Sequence, residues 1–365
     1  MKPHALDRKL LWITLTLFIG GMLILASASM VISQKNFGSL GHYTVHQLLF
    51  GGLGGVGALF VCQYIPYRVW RRVALPAILV SLLLLMLVFF PKISYAYGGA
   101  RRWLAFGALT FQPSELLKLS FIMYLASWLD ARRRALASVA YSMIPFVVML
   151  GVIGIFLIMQ PDIGTLGIII ITAGLLYFLG GGKVSQMAIL VVLGALIFFM
   201  LVQFEPYRAH RILVFLNSDL DPQGIGYQIN QAFIAIGSGG SFGLGFGRSI
   251  QKYHYLPEPI GDSIFAVFAE EMGFLGALLL IVAFSILFWR GMRIAERAPD
   301  GFGKLLAAGI SIGIMVQAFI NMAAISGLLP LTGIPLPFVS YGSTSLIITL
   351  ASIGILLNIS KYATR

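Results

Sequence analysis

Long apolar runs, separated by short polar or basic connections, recur from one end of the chain to the other. A run of about 20 apolar residues can cross roughly 30 Å of hydrocarbon as a helix, whereas the strands of a membrane barrel are runs of about ten alternating residues. The pattern therefore predicts an all-α polytopic membrane protein with about ten transmembrane helices. The predicted spans are residues 10–32, 44–64, 73–90, 113–129, 138–159, 162–180, 184–204, 263–289, 303–326 and 340–360.

The distribution of basic residues predicts the orientation of these spans. With the N-terminus in the cytoplasm, sixteen Lys and Arg residues fall on the inner side and eight on the outer side, while Lys118 lies within a span. This bias follows the positive-inside rule and predicts that both termini are cytoplasmic. It places residues 91–112 and a large loop, about 205–262, on the outer face. No repeat or separate soluble domain is visible, so residues 1–365 are predicted to form one integral membrane domain.

Composition narrows the class further. The chain is 59% hydrophobic and 10% charged, whereas a soluble domain has about a quarter charged residues. The net charge of +12 is explained by topology, and we expect no nucleic-acid partner. The single cysteine, Cys62, excludes a disulfide within the chain and a thiolate metal site. Ala26-Ser27-Ala28 resembles a signal-peptidase site, but the run from Leu10 is long for a signal peptide and favours an uncleaved first span.

Acidic residues are concentrated near the large outer loop. Seven of the thirteen lie between Glu205 and Glu271, which suggests chemistry at one membrane edge. Asp262 is the strongest candidate, as a base or a metal ligand near neutral pH; the alternative is the N-cap of the eighth span. Glu258, Glu270 and Glu271 either converge on the same place or cap and pair locally.

The outer segment 91–112 and the helix that follows it carry further charged candidates. Arg101 and Arg102, next to an aromatic residue, could anchor at the interface or clamp a phosphate. Glu115 and Lys118 are three residues apart and share a helix face. They are either a buried ion pair that only survives its desolvation or the wall of a functional cavity.

Three other stretches have mainly structural interpretations. Asp162 follows a proline and is either an N-cap or a functional residue. The glycine-rich run 237–249 lacks the strand and Gly-Lys-Ser/Thr of a phosphate loop and predicts surface turns, after a short helix over Ile225 to Ile236. The uncharged, proline-rich loop 327–345 is expected to line a cavity and offer hydroxyls and amides to a polar head group.

Taken together, several long motifs resemble the SEDS (shape, elongation, division and sporulation) family, the FtsW and RodA glycosyltransferases of bacterial cell walls. They are GGARRW, QPSELLKL, QPDIGT, GLGFGRSIQKYHYLPEP followed by Asp262, FAEEMGFLG, and GLLPLTGIPLPFVSYGSTS. The match covers nearly the whole chain and is closer to the FtsW branch. The chain departs from the family pattern at Ile260-Gly261, before the aspartate, and at Ser343-Thr344, in the last loop.

The resemblance implies that lipid II is polymerised into glycan strands at the outer face of the bacterial cytoplasmic membrane, for division or cell shape. It implies that Asp262 is catalytic, with Mg²⁺ or Mn²⁺ as an open question. Residues expected to bind substrate or shape the cavity are Arg102, Arg101, Glu115, Lys118, Glu258, Lys252, Ser340, Ser343 and Ser345. Expected partners are a class B penicillin-binding protein and other divisome or elongasome membrane proteins.

Two alternatives come from other functional classes. Buried Glu115, Lys118 and Asp162 would also suit a flippase for the lipid-linked precursor. A flippase needs polar groups along a path through the membrane, whereas most candidates here lie near the outer edge. A non-catalytic scaffold for a transpeptidase would have no need of the Asp262 carboxylate.

Overall fold

The computed structural model describes residues 5–97, 100–107, 109–133, 136, 139–204, 206–253 and 255–363. Its helices are α1 (Arg8–Phe37), α2 (His42–His46), α3 (Gly54–Tyr64), α4 (Tyr67–Leu87), α5 (Pro113–Ala131), α6 (Ile144–Met159), α7 (Ile163–Leu179), α8 (Val184–Phe204), α9 (Pro206–Leu216), α10 (Ile225–Ser238), α11 (Ile264–Glu296), α12 (Gly301–Ile325) and α13 (Ser343–Ser360). A π-helical segment, Gln47–Leu53, joins α2 to α3, and another, Val139–Met143, precedes α6.

The predicted mostly helical membrane fold is confirmed. A helical segment lies at each of the ten predicted spans. Within the described residues, seven helical segments are long and apolar enough to cross a membrane, and α7 and the apolar part of α8 are shorter. The count of ten membrane spans stays a prediction. Helices α12 and α13 are the most buried of the seven and form the centre of the bundle.

A small sheet in segment 91–112 was not predicted. Strands β1 (Ser94–Tyr97), β2 (Ala100–Phe106) and β3 (Leu109–Phe111) pair antiparallel in the order β1-β2-β3. The Thr344 hydroxyl at the start of α13 donates to the carbonyl of Thr110 in β3 (3.2 Å). The sheet thus covers the ends of the central helices on the side that carries Asp262, which we call the Asp262 end.

The opposite end of the bundle joins the two ends of the chain. The Asp7 carboxylate caps α1 by accepting from Leu10 N (2.9 Å) and pairs with Arg290 of α11, and the backbone N–H of Asp7 donates to Ser360 Oγ (3.1 Å). Asn358 of α13 also accepts a hydrogen bond from the backbone N–H at the start of α4 (2.8 Å). The first and last described helices therefore begin and end on the same side.

Helix α11 is broken at Gly273, and the glycine-rich loop fills the break. Gly273 has φ 65° and ψ −168°, far from helical values. The N–H groups that follow it donate to the loop at Gly240 O (2.9 Å) and Ser241 O (3.2 Å), while the carbonyls of Glu270 and Glu271 accept from loop N–H groups. Loop 237–249 therefore does more than turn at the surface, because it replaces hydrogen bonds that the broken helix cannot make.

Candidate active site

Asp262 lies in irregular backbone just before α11. The helix begins at Ile264, its N-cap position is Ser263, and no side chain makes a capping hydrogen bond there. The N-cap interpretation of Asp262 is therefore wrong. The side chain is largely buried, and its Oδ1 has no hydrogen-bond partner among the described residues. A buried carboxylate oxygen without a partner is a group to which a substrate hydroxyl or a cation would supply the missing contact.

The surroundings of Asp262 favour its protonated form more than water does. Burial first, and the nearby Glu258 carboxylate second, raise the pKa of Asp262 from 3.8 to about 6. Gln228 of α10 and Arg211 of α9 act in the opposite direction with smaller effect. A carboxyl with a pKa near 6 is mostly ionised at neutral pH and suits general base catalysis.

Glu115 and Lys118 form the predicted buried ion pair near the start of α5. The Lys118 ammonium lies 2.9 Å from Glu115 Oε1 and 2.5 Å from Oε1 of Gln317 on α12. Pro113 occupies the first turn of α5, and Glu115 is beside the positive end of that helix.

This ion pair is also at one wall of a groove between α5, α7, α12 and α13. The groove encloses about 600 Å³, part of it open to the surroundings, and its walls are mostly apolar. Besides Glu115, Lys118 and Gln317, the walls include Leu119, Phe121, Ile122, Leu125, Ile168, Ile169, Thr172, Ala173, Leu176, Ile310, Gly313, Ile314, Pro337, Ile348, Thr349 and Ser352. Glu115 and Lys118 are therefore both a buried ion pair and part of a cavity wall.

The two arginines of β2 differ in their surroundings. Arg102 donates to the carbonyls of Gln160 (3.4 Å) and Pro161 in the turn between α6 and α7, and it is partly exposed. Arg101 is exposed. Asp162, in the same turn, caps α7 at Thr165 N (3.3 Å), which confirms its predicted N-cap role. Gly98 and Gly99 of the same motif lie outside the described residues, as do Glu205 and His254.

The loop between α12 and α13 packs against the Asp262 segment. The Ser340 hydroxyl donates to Gly261 O (2.6 Å) and accepts from Leu336 N (2.8 Å). Ser343 reaches Oε1 of Gln47 on the π-helical segment (3.4 Å). Ser345 is buried in the first turn of α13. Ser340 therefore holds backbone beside the candidate catalytic residue, whereas Ser343 and Ser345 lie at the helix that follows.

Lys252, Glu270 and Glu271 form a separate buried network. The Lys252 ammonium donates to Glu271 Oε1 (2.8 Å), Gly247 O (2.8 Å) and Ser27 Oγ (3.1 Å). Glu270 accepts from backbone N–H groups of the loop, including that of Ile250 (2.9 Å).

This network bears on the prediction for Lys252 and decides between the two alternatives for Glu270 and Glu271. Lys252 is 2% exposed and its three N–H groups are used within the protein, which is at odds with its prediction as a substrate-binding residue. Glu270 and Glu271 pair with the loop rather than converging with Glu258 on Asp262.

The carboxylates near Asp262 are too few for a metal cage. The described residues contain no group of three or more His, Cys, Asp or Glu side chains that could hold a metal ion. Among the described residues, Glu258 is the carboxylate that acts electrostatically on Asp262. Mg²⁺ is commonly bound by one or two carboxylates together with substrate phosphates. Asp262 and Glu258 fit a site of that kind, in which the substrate supplies the other ligands, and do not fit an all-protein metal site.

Two site residues were missed in the sequence because they carry no charge. Gln317 and Asn321 lie four residues apart on α12, within an apolar span, and both side chains are buried. The Asn321 amide donates to the carbonyls of Asp262 (2.9 Å) and Ile334 (2.7 Å). A pair of amides at helical spacing within an apolar run was the signal that could have identified them.

The fold and the site define an integral membrane protein with a nearly isolated carboxylate at one end of the bundle and an apolar groove beside a buried ion pair. A sequence model of the FtsW/RodA/SpoVE family, described as cell cycle proteins, matches residues 8–365. The chain belongs to this family.

Relatives and solved structures agree over the full length. The chain is 39% identical to stage V sporulation protein E of Bacillus subtilis, covering 99% of each chain. It is 41% identical to a probable peptidoglycan glycosyltransferase FtsW of Trichlorobacter lovleyi, covering 98% of this chain and 95% of the relative. A chain of a peptidoglycan synthase complex matches with TM-score 0.82 at 27% identity, covering 98% of each chain. The rod shape determining protein RodA of Thermus thermophilus matches with TM-score 0.72 at 26% identity, covering 99% of each chain.

Proposed function

We propose that this chain is a peptidoglycan glycosyltransferase that uses lipid II as both donor and acceptor. Relatives of nearly the same length, about 40% identical, carry the name of that activity. The observation in this chain that carries the proposal is Asp262, a largely buried carboxylate with a raised pKa and one unpartnered oxygen among the described residues. The predicted flippase and scaffold remain as outcomes of the test below.

The chemistry needs only one carboxylate. The 4-hydroxyl oxygen of the acceptor sugar bonds to the anomeric carbon of the donor, and the bond from that carbon to the diphosphate oxygen breaks. Undecaprenyl diphosphate leaves with the bonding electrons, and Asp262 takes the hydroxyl proton. A glycosidase needs a second carboxyl group to protonate an alcohol leaving group, whereas a diphosphate leaves as a stable anion.

Cations near the Asp262 end would stabilise the departing diphosphate. Arg102, Arg101 and Lys118 are the candidates in this chain, and charge stabilisation of this type is often the largest single contribution to catalysis. A divalent cation on Asp262, Mg²⁺ or Mn²⁺, would supply further positive charge to the diphosphate. The apolar groove beside Lys118 offers a surface for the polyprenyl chain.

The location and partners follow from the same reaction. Lipid-linked donors with the sugar outside the cell require the Asp262 end to face outward, with both chain ends in the cytoplasm, as the basic residues predict. A class B penicillin-binding protein would crosslink the strand, in the setting of a divisome or elongasome. A structural neighbour belongs to a complex described as coordinating polymerization and crosslinking, which supports this pairing.

The test compares the parent with Asp262→Asn, which keeps the side-chain shape. The purified chain, with its cognate transpeptidase, receives lipid II in detergent, with chelator, Mg²⁺ or Mn²⁺, and glycan length is measured on a gel. Asp219→Asn, at an exposed loop carboxylate, is the matched control. We expect polymer from the parent and control, and a loss of at least about 100-fold in Asp262→Asn. Equal polymer from all three would refute the role of Asp262, and no polymer from the folded parent would favour the flippase or the scaffold.

A further inference from the structure

The backbone that carries Asp262 is held through its carbonyl groups. The carbonyl oxygens of residues 260–262 each accept a hydrogen bond, from Tyr341 N (2.8 Å), Ser340 Oγ (2.6 Å) and Asn321 Nδ2 (2.9 Å). This segment precedes α11 and forms a turn, in which the N–H groups of Gly261 and Ser263 donate to Glu258 O (3.1 and 3.3 Å). The three donors on α12 and the loop after it hold this turn, and with it the backbone of Asp262, against the rest of the bundle.

Asn321 is the donor that is fixed by a rigid element. It lies on α12, one of the two central helices, and is 1% exposed. Both N–H bonds of its amide are used, one on the carbonyl of Asp262 and one on the carbonyl of Ile334 (2.7 Å). Two carbonyl acceptors can be satisfied only by an NH₂ group, so this contact requires the amide and not an isosteric carboxylate.

Gln317 extends the same contact toward the groove. It lies one turn before Asn321, and residues four apart share a helix face. Its NH₂ group donates to Pro335 O (2.9 Å), next to the carbonyl held by Asn321, and its Oε1 accepts from Lys118. One face of α12 therefore fixes both Asp262 and the Lys118 ammonium.

We propose that Asn321 is a positioning residue for glycosyl transfer. It fixes the position of the Asp262 carboxylate relative to the Lys118 end of the groove. The inference rests on the proposed role of Asp262 and extends it to a residue that touches neither substrate. A displacement of about 1 Å at a reacting group can lower a rate by about 100-fold. The walls of the groove are formed by other side chains and not by Asn321, so substrate binding should change little.

The test removes or shortens the donor at residue 321. Asn321→Leu has no N–H group, and Asn321→Ser keeps one shorter donor. Ser311→Ala on the same helix is the matched control, because this buried hydroxyl bonds only to the carbonyl of Ala307 within α12. For each variant, kcat and KM for lipid II are measured per folded protein, with the folded fraction from thermal unfolding.

We expect Asn321→Leu to lose about 100-fold in kcat with KM within twofold of the parent, Asn321→Ser to lie between them, and Ser311→Ala to match the parent. Unchanged kcat in folded Asn321→Leu would overturn the inference, as would a loss confined to KM. If Asn321→Leu does not fold, a kcat of Asn321→Ser equal to that of the parent would overturn it.

Asp262→Asn in the same series separates the two proposals. If that variant is inactive while Asn321→Leu keeps its kcat, only the positioning role fails. If Asp262→Asn is fully active, the proposed role of Asp262 fails, and the positioning inference fails with it.

Discussion

Replacing Lys252 by methionine should destabilise the protein without affecting catalysis by the molecules that remain folded. The substitution removes the ammonium that pairs with Glu271, while Glu270 and Glu271 stay buried at 1% and 3% exposure. Methionine has a similar length, so the loss is mainly one of charge and of three hydrogen bonds. If Lys252 instead bound substrate, the same change would raise KM and leave unfolding unchanged.

The structure gives the size of the effect. The side chains of Lys252 and Glu271 are 1% and 4% exposed, and removing one partner of such a pair costs about 3–5 kcal/mol. At roughly 2.1 cal/mol/K per residue, 365 residues have an unfolding entropy of about 0.8 kcal/mol/K. The unfolding temperature of Lys252→Met should therefore fall by about 4–6 °C.

A second variant tests whether the unpaired charge is the cause. Lys252→Met combined with Glu271→Gln leaves no unpaired carboxylate at residue 271, and the amide oxygen can still accept from Ser27. We expect the double variant to recover at least about 2 kcal/mol relative to Lys252→Met, because a lost neutral hydrogen bond costs only about 0.5–1.5 kcal/mol.

Unfolding can be followed with a thiol-reactive fluorescent dye. Cys62 is the only cysteine and is buried in the helix bundle, so it reacts when the bundle opens. The exposed Asp219→Asn variant serves as the control. A double variant no more stable than Lys252→Met would refute the reasoning from charge pairing. A Lys252→Met variant with unchanged unfolding and a raised KM would restore its predicted role in substrate binding.

Three further predictions follow from individual residues. Burial and Glu258 raise the pKa of Asp262 to about 6, above its ordinary 3.8, so the protonated form contributes stability that is lost as pH rises through 6. In chelator at pH 8, the free energy of unfolding of Asp262→Asn should therefore exceed that of the parent by up to about 3 kcal/mol, and its unfolding temperature should be higher. The difference should close toward pH 4, and a pH-independent difference would contradict this. Glu258→Gln removes the second cause of the raised pKa, so the acid limb of the rate profile should move to lower pH, and an unmoved limb would count against it. Gly273→Ala should destabilise by at least about 1–3 kcal/mol in the same dye assay, because a Cβ there would lie 2.3 Å from Gly243 N at φ 65°; unchanged unfolding would contradict it.

The sequence was sufficient for the helical segments and for several of their ends. Apolar runs of membrane length dominate the chain, and every predicted span coincides with a helical segment. Local chemistry also offered the cap at Asp162 and the pairing of Glu115 with Lys118, each as one of two alternatives. These features depend on neighbours within a few residues, which is the range over which spacing is informative.

Features that depend on distant contacts were not predictable in the same way. The sheet over β1–β3 is stabilised partly by α13, more than 200 residues away. The break at Gly273 is possible because the loop at residues 240–245 supplies hydrogen bonds, and FAEEMGFLG alone looks like uninterrupted helix. Asp262 was a plausible N-cap by spacing, and only the observed start of α11 at Ile264 excluded that role.

The grouping of acidic residues near one membrane edge has two physical causes rather than one. The carboxylates of Glu270 and Glu271 accept hydrogen bonds from Lys252 and the loop, and these bonds hold the loop against the broken helix. Asp262 is held through its backbone instead, so that its carboxylate lies near Glu258 with one oxygen unpartnered in the described part of the chain. A carboxylate with one unpartnered oxygen can take up a proton or a cation there while its backbone contacts hold the structure around it. That difference in where the hydrogen bonds fall, on the side chain or on the backbone, supports a structural role for Glu270 and Glu271 and the catalytic role proposed for Asp262.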